Sequence, residues 1–215
     1  MRLAILFMIA TFVAAAQVKR TPDGKPDLSG MWAPEPVFSI HAKATALLLN
    51  REATPVQSDP DLRCTLPGVP RIDFEKPFKI LQHPDEVVIL YQDYTTYRQI
   101  FTDGRALPED PQPTGLGYSV GKWEGDTLVV ESAGFNDESW LDSAGTTHSE
   151  ALHVTERFHR RDAKRMDIAV TIDDPKTFSH PFTVEEHARL LPAGELTEWI
   201  CLEERGIQVR LGAER

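Results

Sequence analysis

A chain of 215 residues with two cysteines and a formal net charge of −10 is long enough for one ordinary core. It is too acidic to be drawn to phosphate backbones or anionic lipid, which excludes nucleic acid as a natural partner.

The chain opens on Met1-Arg2, continues through an apolar run over residues 3–13, and reaches Ala14-Ala15-Ala16 before turning polar. This pattern predicts a signal peptide over residues 1–16, cleaved after Ala16. The run is shorter than the ~20 residues of a spanning helix, and no cysteine near the cleavage point offers a lipid attachment site. The expectation is a soluble periplasmic or secreted protein with no stable membrane anchor, whose charge of −10 becomes −11 once Arg2 is removed. In an oxidising compartment Cys64 and Cys201 are expected to form a disulfide, the alternative being two buried free thiols.

Residues 17–76 read as an N-terminal arm. Residues 21–36 and 54–77 are rich in Pro and polar side chains and are expected to be loops, while residues 40–51 have the Ala and Leu content of a short helix. From residue 77 to 215 the pattern changes to short strands separated by turn signals. Strands are predicted over 78–82, 86–92, 94–102, 118–123, 127–132, 152–159, 165–172, 182–191 and 196–203. Strands linked mostly by hairpins describe an all-β antiparallel meander, which protects its edges best by closing into an up-and-down barrel. A two-layer sandwich or an open curved sheet is the alternative. Arm and barrel are expected to form one domain.

The segment Pro22-Asp23-Gly24-Lys25-Pro26-Asp27-Leu28-Ser29-Gly30-Met31-Trp32, taken with residues 117–130 (Gly-Tyr-Ser-Val-Gly-Lys-Trp-Glu-Gly-Asp-Thr-Leu-Val-Val), resembles a group of exported bacterial proteins of unassigned function. Gly30-Met31-Trp32 is also similar to the Gly-x-Trp of lipocalins and related calycins. That resemblance implies a barrel holding one small apolar molecule, with the Trp closing one end and packing beneath an Arg from a late strand, here Arg205 or Arg210.

Three constellations bear on chemistry. Gly117-Tyr118-Ser119-Val120-Gly121 matches a nucleophile elbow, but the residues after it read as a hairpin where an elbow needs a helix. Next, strict alternation puts Glu156 on the apolar face of its strand with Leu152, Val154 and Phe158, and does the same for Glu186 and Glu198 in theirs. Arg98, on a face with Tyr94, Thr96 and Ile100, is the expected counter-ion. A buried carboxylate must be neutral, paired or facing a wet cavity, so these residues are either a self-satisfied ion pair or a polar anchor for a ligand. Finally, the connection 134–150 carries Trp140, Asp142 and His148 and is long enough to be a lid or binding loop.

The reading that joins these features is an exported barrel binding a small, partly apolar molecule, with Arg98, Tyr94, Trp140, Asp142, Glu186 and Glu198 as binding residues. An enzyme on the same scaffold is the alternative, an isomerase, lyase or hydrolase using Glu156 and His148 in acid–base chemistry. A serine hydrolase acting through Ser119, and an interaction module docking through its Pro-rich arms, remain open. No cofactor fingerprint or metal-ligand spacing is evident.

Overall fold

The computed structural model describes residues 18–35, 40–49, 58–202 and 207–209, so the segment 1–16 expected to be a signal peptide, and Arg205 and Arg210, lie outside the described residues. Nine strands close a barrel in chain order: β1 (Gly30–Glu35), β2 (Phe78–Gln82), β3 (Glu86–Tyr91), β4 (Thr96–Phe101), β5 (Tyr118–Glu124), β6 (Thr127–Ala133), β7 (His153–Arg160), β8 (Arg165–Asp173) and β9 (Phe182–Leu191). Helix α1 (Ile40–Leu47) falls within the segment expected to be helical, and a second short helix, α2 (Ile72–Glu75), immediately precedes β2. Alternation places one face of each long strand in the core. Val154, Phe158, Ile168, Val170 and Val184 pack there with Trp32, Phe78 and Ile80.

The meander has one parallel joint. A ring whose neighbours are all antiparallel needs an even number of strands, so nine strands force an exception. It falls between β4 and β5, where Ile100 faces Ser119 and Phe101 faces Val120 in parallel register. The connection over 102–117 is long enough for the crossover that a parallel pair requires.

The ring differs in membership from the nine strands read in the sequence. Residues 30–35, expected to be loop, are β1, which closes the barrel by pairing with both β2 and β9. Pro34 disguised this strand. It lies past the β2 ladder, on a stretch paired only with β9, where a missing N–H is tolerated. With β1 on the free edge of β9, residues 196–203 have no place in the ring. Among the described residues of that segment, β10 (Ile200–Leu202) is the strand, and it pairs with β11 (Ile207–Val209) outside the barrel.

Trp32 is fully buried, its indole N–H donating to the Leu28 carbonyl at 2.9 Å. The cation over its ring, 5.3 Å from the centroid, is Arg160 at the end of β7. Arg160 also bonds the carbonyls of Asp27 and Ala163 and so ties the entry to β1 to the β7–β8 turn.

A cap over residues 58–77 is held together by Arg71, which is bidentate to Asp59 at 2.8 and 2.9 Å and reaches Glu75 at 2.7 Å. The expected disulfide joins Cys64 of this cap to Cys201 of β10, with a Cα–Cα distance of 5.5 Å across a separation of 137 residues. Replacing both cysteines by Ser is expected to lower unfolding free energy by at most about 5 kcal/mol, and a urea titration of the variant measures the loss.

A buried arginine–carboxylate cluster as the candidate site

The barrel wall is sealed by backbone pairing, so a helix reaches the interior only across a rim. Helix α2 does so where β2 begins and β3 ends, and it brings Ile72 and Asp73 to zero exposure. Around Asp73, five consecutive strands each contribute one side chain: Tyr91 from β3, Arg98 from β4, Ser119 from β5, Ser132 from β6 and Glu156 from β7. All are at most 2% exposed.

Arg98 organises them. Its Nε donates to Ser119 Oγ at 3.0 Å, Nη2 to Ser132 Oγ at 2.8 Å and also to Glu156 Oε2, and Nη1 to Asp73 Oδ2 at 3.5 Å. The Tyr91 hydroxyl donates to Asp73 Oδ1 at 2.6 Å, and Ser119 and Ser132 are hydrogen-bonded to each other at 2.9 Å.

One guanidinium faces two carboxyl groups, so full ionisation leaves a surplus negative charge in an apolar interior. Burial, followed by the neighbouring Glu156 charge, pushes the Asp73 carboxyl up to about 7, against the opposing pull of Arg98 and Tyr91. Burial also works against the charge on Arg98, but Glu156, Tyr91 and Asp73 together outweigh it and hold the guanidinium charged. Burial and then Asp73 raise the Tyr91 phenol, which stays a donor. Glu156 Oε1 has no hydrogen-bond partner among the described residues. A proton held on Asp73 removes the surplus negative charge.

Arg98 and Glu156 are therefore brought together inside the barrel. Glu186, on β9 between the core residues Val184 and Ala188, also faces inward. Two other expected binding residues do not join them. Tyr94 precedes β4 in a turn with positive φ at Tyr94 and Thr95, which breaks the alternation. Its hydroxyl bonds Asp61 and its ring packs on Trp199, with centroids 4.7 Å apart. Glu198 is exposed, because its segment lies outside the barrel and has no apolar face to share.

The residues of the long loop are tied mainly to one another. Asp142 accepts from the backbone N–H groups of Ala144 and Thr146 and from the Thr146 hydroxyl, while Trp140 is buried and bridges to Thr147. His148 Nδ1–H donates to the Ser149 carbonyl at 3.0 Å, which leaves Nε2 to accept from Ser139 Oγ at 3.0 Å. Burial lowers its pKa and keeps the ring neutral. Ser139 nests against Gly68, where an added Cβ would lie 2.3 Å from its Oγ, so loop and cap adjoin. Ser119 sits on a strand, where it accepts from Arg98, and no imidazole bonds it among the described residues.

Asp73, Tyr91 and Ser132 were not singled out by the sequence reading. Tyr91 shares the alternating face of Val87 and Ile89, a signal that was present. Asp73 carried no periodicity, because it comes from a four-residue helix in a Pro-rich arm. Among the described residues no group of three or more His, Cys, Asp and Glu is arranged to hold a metal ion. Comparison with family models, with curated proteins and with solved structures finds no match to this chain. The fold and site thus define a closed nine-stranded barrel with a neutralised, fully enclosed Arg–carboxylate cluster.

The charge balance sets the expected behaviour of three variants. The folded state holds the Asp73 proton from the ordinary carboxylate range up to about 7, whereas the unfolded chain releases it, so this group's stabilisation declines as pH rises through that window. Chemical denaturation of Asp73→Asn at several pH values is expected to show a flatter profile than wild type, and an unchanged slope contradicts the assignment. Arg98→Met, which strands both acids, is expected to cost about 3–5 kcal/mol. Glu156→Gln is expected to cost less, about 1–3 kcal/mol, because Asp73 then ionises and balances Arg98.

Proposed function

We propose that the protein is an exported small-molecule-binding barrel in which the Arg98 cluster is the polar anchor and the surrounding apolar face receives the rest of the ligand. The observation that carries this reading is the enclosure of an arginine, two carboxyl groups, a phenol and two hydroxyls inside a hydrocarbon core. A hydrophobic filling of equal volume stabilises a fold as well or better, so retention of such a cluster favours a task other than packing. The adjoining cap and the loop over 134–152 supply covers of the kind that admit and enclose a guest. Export is supported by the signal-peptide pattern and the disulfide.

An enzyme on this scaffold is the second reading, favoured by the Asp73 carboxyl, which holds its proton up to about 7 and is available for acid–base transfer near neutral pH. His148 enters it less directly, being bonded to Ser139 and Ser149.

A thermal-shift screen of small polar-apolar metabolites against wild type and Glu156→Gln tests the binding reading. At least one compound is expected to raise the wild-type midpoint by several degrees and to lose that effect in the variant. Stabilisation of neither protein by any compound contradicts it.

A further inference from the structure

Asp73 differs from the rest of the cluster in its origin. Tyr91, Arg98, Ser119, Ser132 and Glu156 all stand on the barrel wall, whereas Asp73 is delivered across the rim by the cap. Beside it on the same short helix, Ile72 is also fully buried. The cap therefore brings a carboxyl group to the guanidinium and phenol of the wall, and a branched aliphatic chain into the apolar core cluster that includes Tyr91. These are the two halves of a small aliphatic acid.

We propose that Asp73 and Ile72 occupy the place of a guest, and that the guest is a small branched aliphatic carboxylic acid whose carboxyl group displaces that of Asp73 from Tyr91 and Arg98. This rests on the small-molecule-binding reading of the barrel. The cap is then an internal competitor, tethered at Cys64 by the disulfide and free of covalent ties to the wall strands at α2 except through its link to β2. The guest's carboxyl inherits the surroundings of Asp73: the Tyr91 phenol, the Arg98 cation and the Glu156 carboxyl, with the neutral hydroxyls of Ser119 and Ser132 bonded to Arg98. Next to Glu156 it must hold a proton, as Asp73 does, so a guest that is ionised in water takes one up on entry.

Isothermal titration of isocaproic acid, its methyl ester and its amide into wild type, Asp73→Ala and Asp73→Asn tests the assignment, with circular dichroism confirming each fold. Removing the competitor is expected to tighten isocaproic acid binding to Asp73→Ala at least tenfold over wild type, roughly 1.4 kcal/mol. Asp73→Asn, which leaves the place filled, is expected to show no such gain. The ester and amide are expected to bind at least tenfold more weakly than the acid. Affinity of Asp73→Ala for the acid should fall roughly tenfold per pH unit between about pH 5 and 7, as the required proton becomes scarce.

Equal affinity of wild type and Asp73→Ala overturns the proposal. Equal binding of acid and ester overturns the ligand class while leaving the binding reading intact. Absence of binding by all three probes also overturns the proposal, and the metabolite screen then decides the binding reading separately. Should Asp73→Ala fail to fold, hydrogen exchange on wild type takes its place. Excess isocaproic acid is expected to speed exchange of the amides over residues 72–75 while the strands stay protected, and slowed or unchanged exchange there overturns the proposal.

Discussion

A guanidinium sealed inside a β-barrel must be surrounded by acceptors and anions, and that requirement at Arg98 links the elements of this structure. Stranding a buried charge costs about 3–5 kcal/mol. A domain's whole stability is about 5–15 kcal/mol, so the partners of Arg98 account for a large share of it. They come from β5, β6 and β7 on the wall and from α2 on the cap, and each is placed by the register of its own element. The parallel joint between β4 and β5 belongs to the same arrangement. It sets Ser119 against Ile100, two residues along β4 from Arg98, where its hydroxyl meets Nε.

The second carboxyl group turns a structural ion pair into a titratable unit. With Glu156 alone the guanidinium faces a single carboxyl group. Asp73 adds a charge that the interior does not tolerate, so a proton is retained in a range where exposed carboxylates have lost theirs. The cap's docking and the cluster's protonation are consequently one equilibrium, and whatever perturbs the cap perturbs the proton.

Legibility in the sequence followed the length of each periodic signal. Eight residues of β7 alternate without interruption, so the inward direction of Glu156 was readable from Val154 and Phe158, and the same holds for Glu186 between Val184 and Ala188. Arg98 was readable from Ile100. Tyr94 was misplaced because two successive residues with positive φ end the period just before β4. Glu198 was misplaced because strand-like composition does not supply a strand partner, and the one open edge had been taken by β1. That strand, with its Pro34 and an approach through Pro22, Gly24 and Pro26, carries the marks of a loop, and only ring closure explains it. Asp73 is a tertiary fact: nothing local in Ile72-Asp73-Phe74 distinguishes an acid carried into a core from one on a surface turn.

The most direct test of the account is infrared difference spectroscopy of the carboxyl C=O stretch, titrated between about pH 6 and 9, where exposed carboxyl groups are already ionised. A protonated-carboxyl band that disappears with a midpoint near 7 and is missing from Asp73→Asn is the result expected. A wild-type spectrum with no such band at about pH 6 would mean that Arg98 faces two ionised acids, and the protonated Asp73 would have to be abandoned.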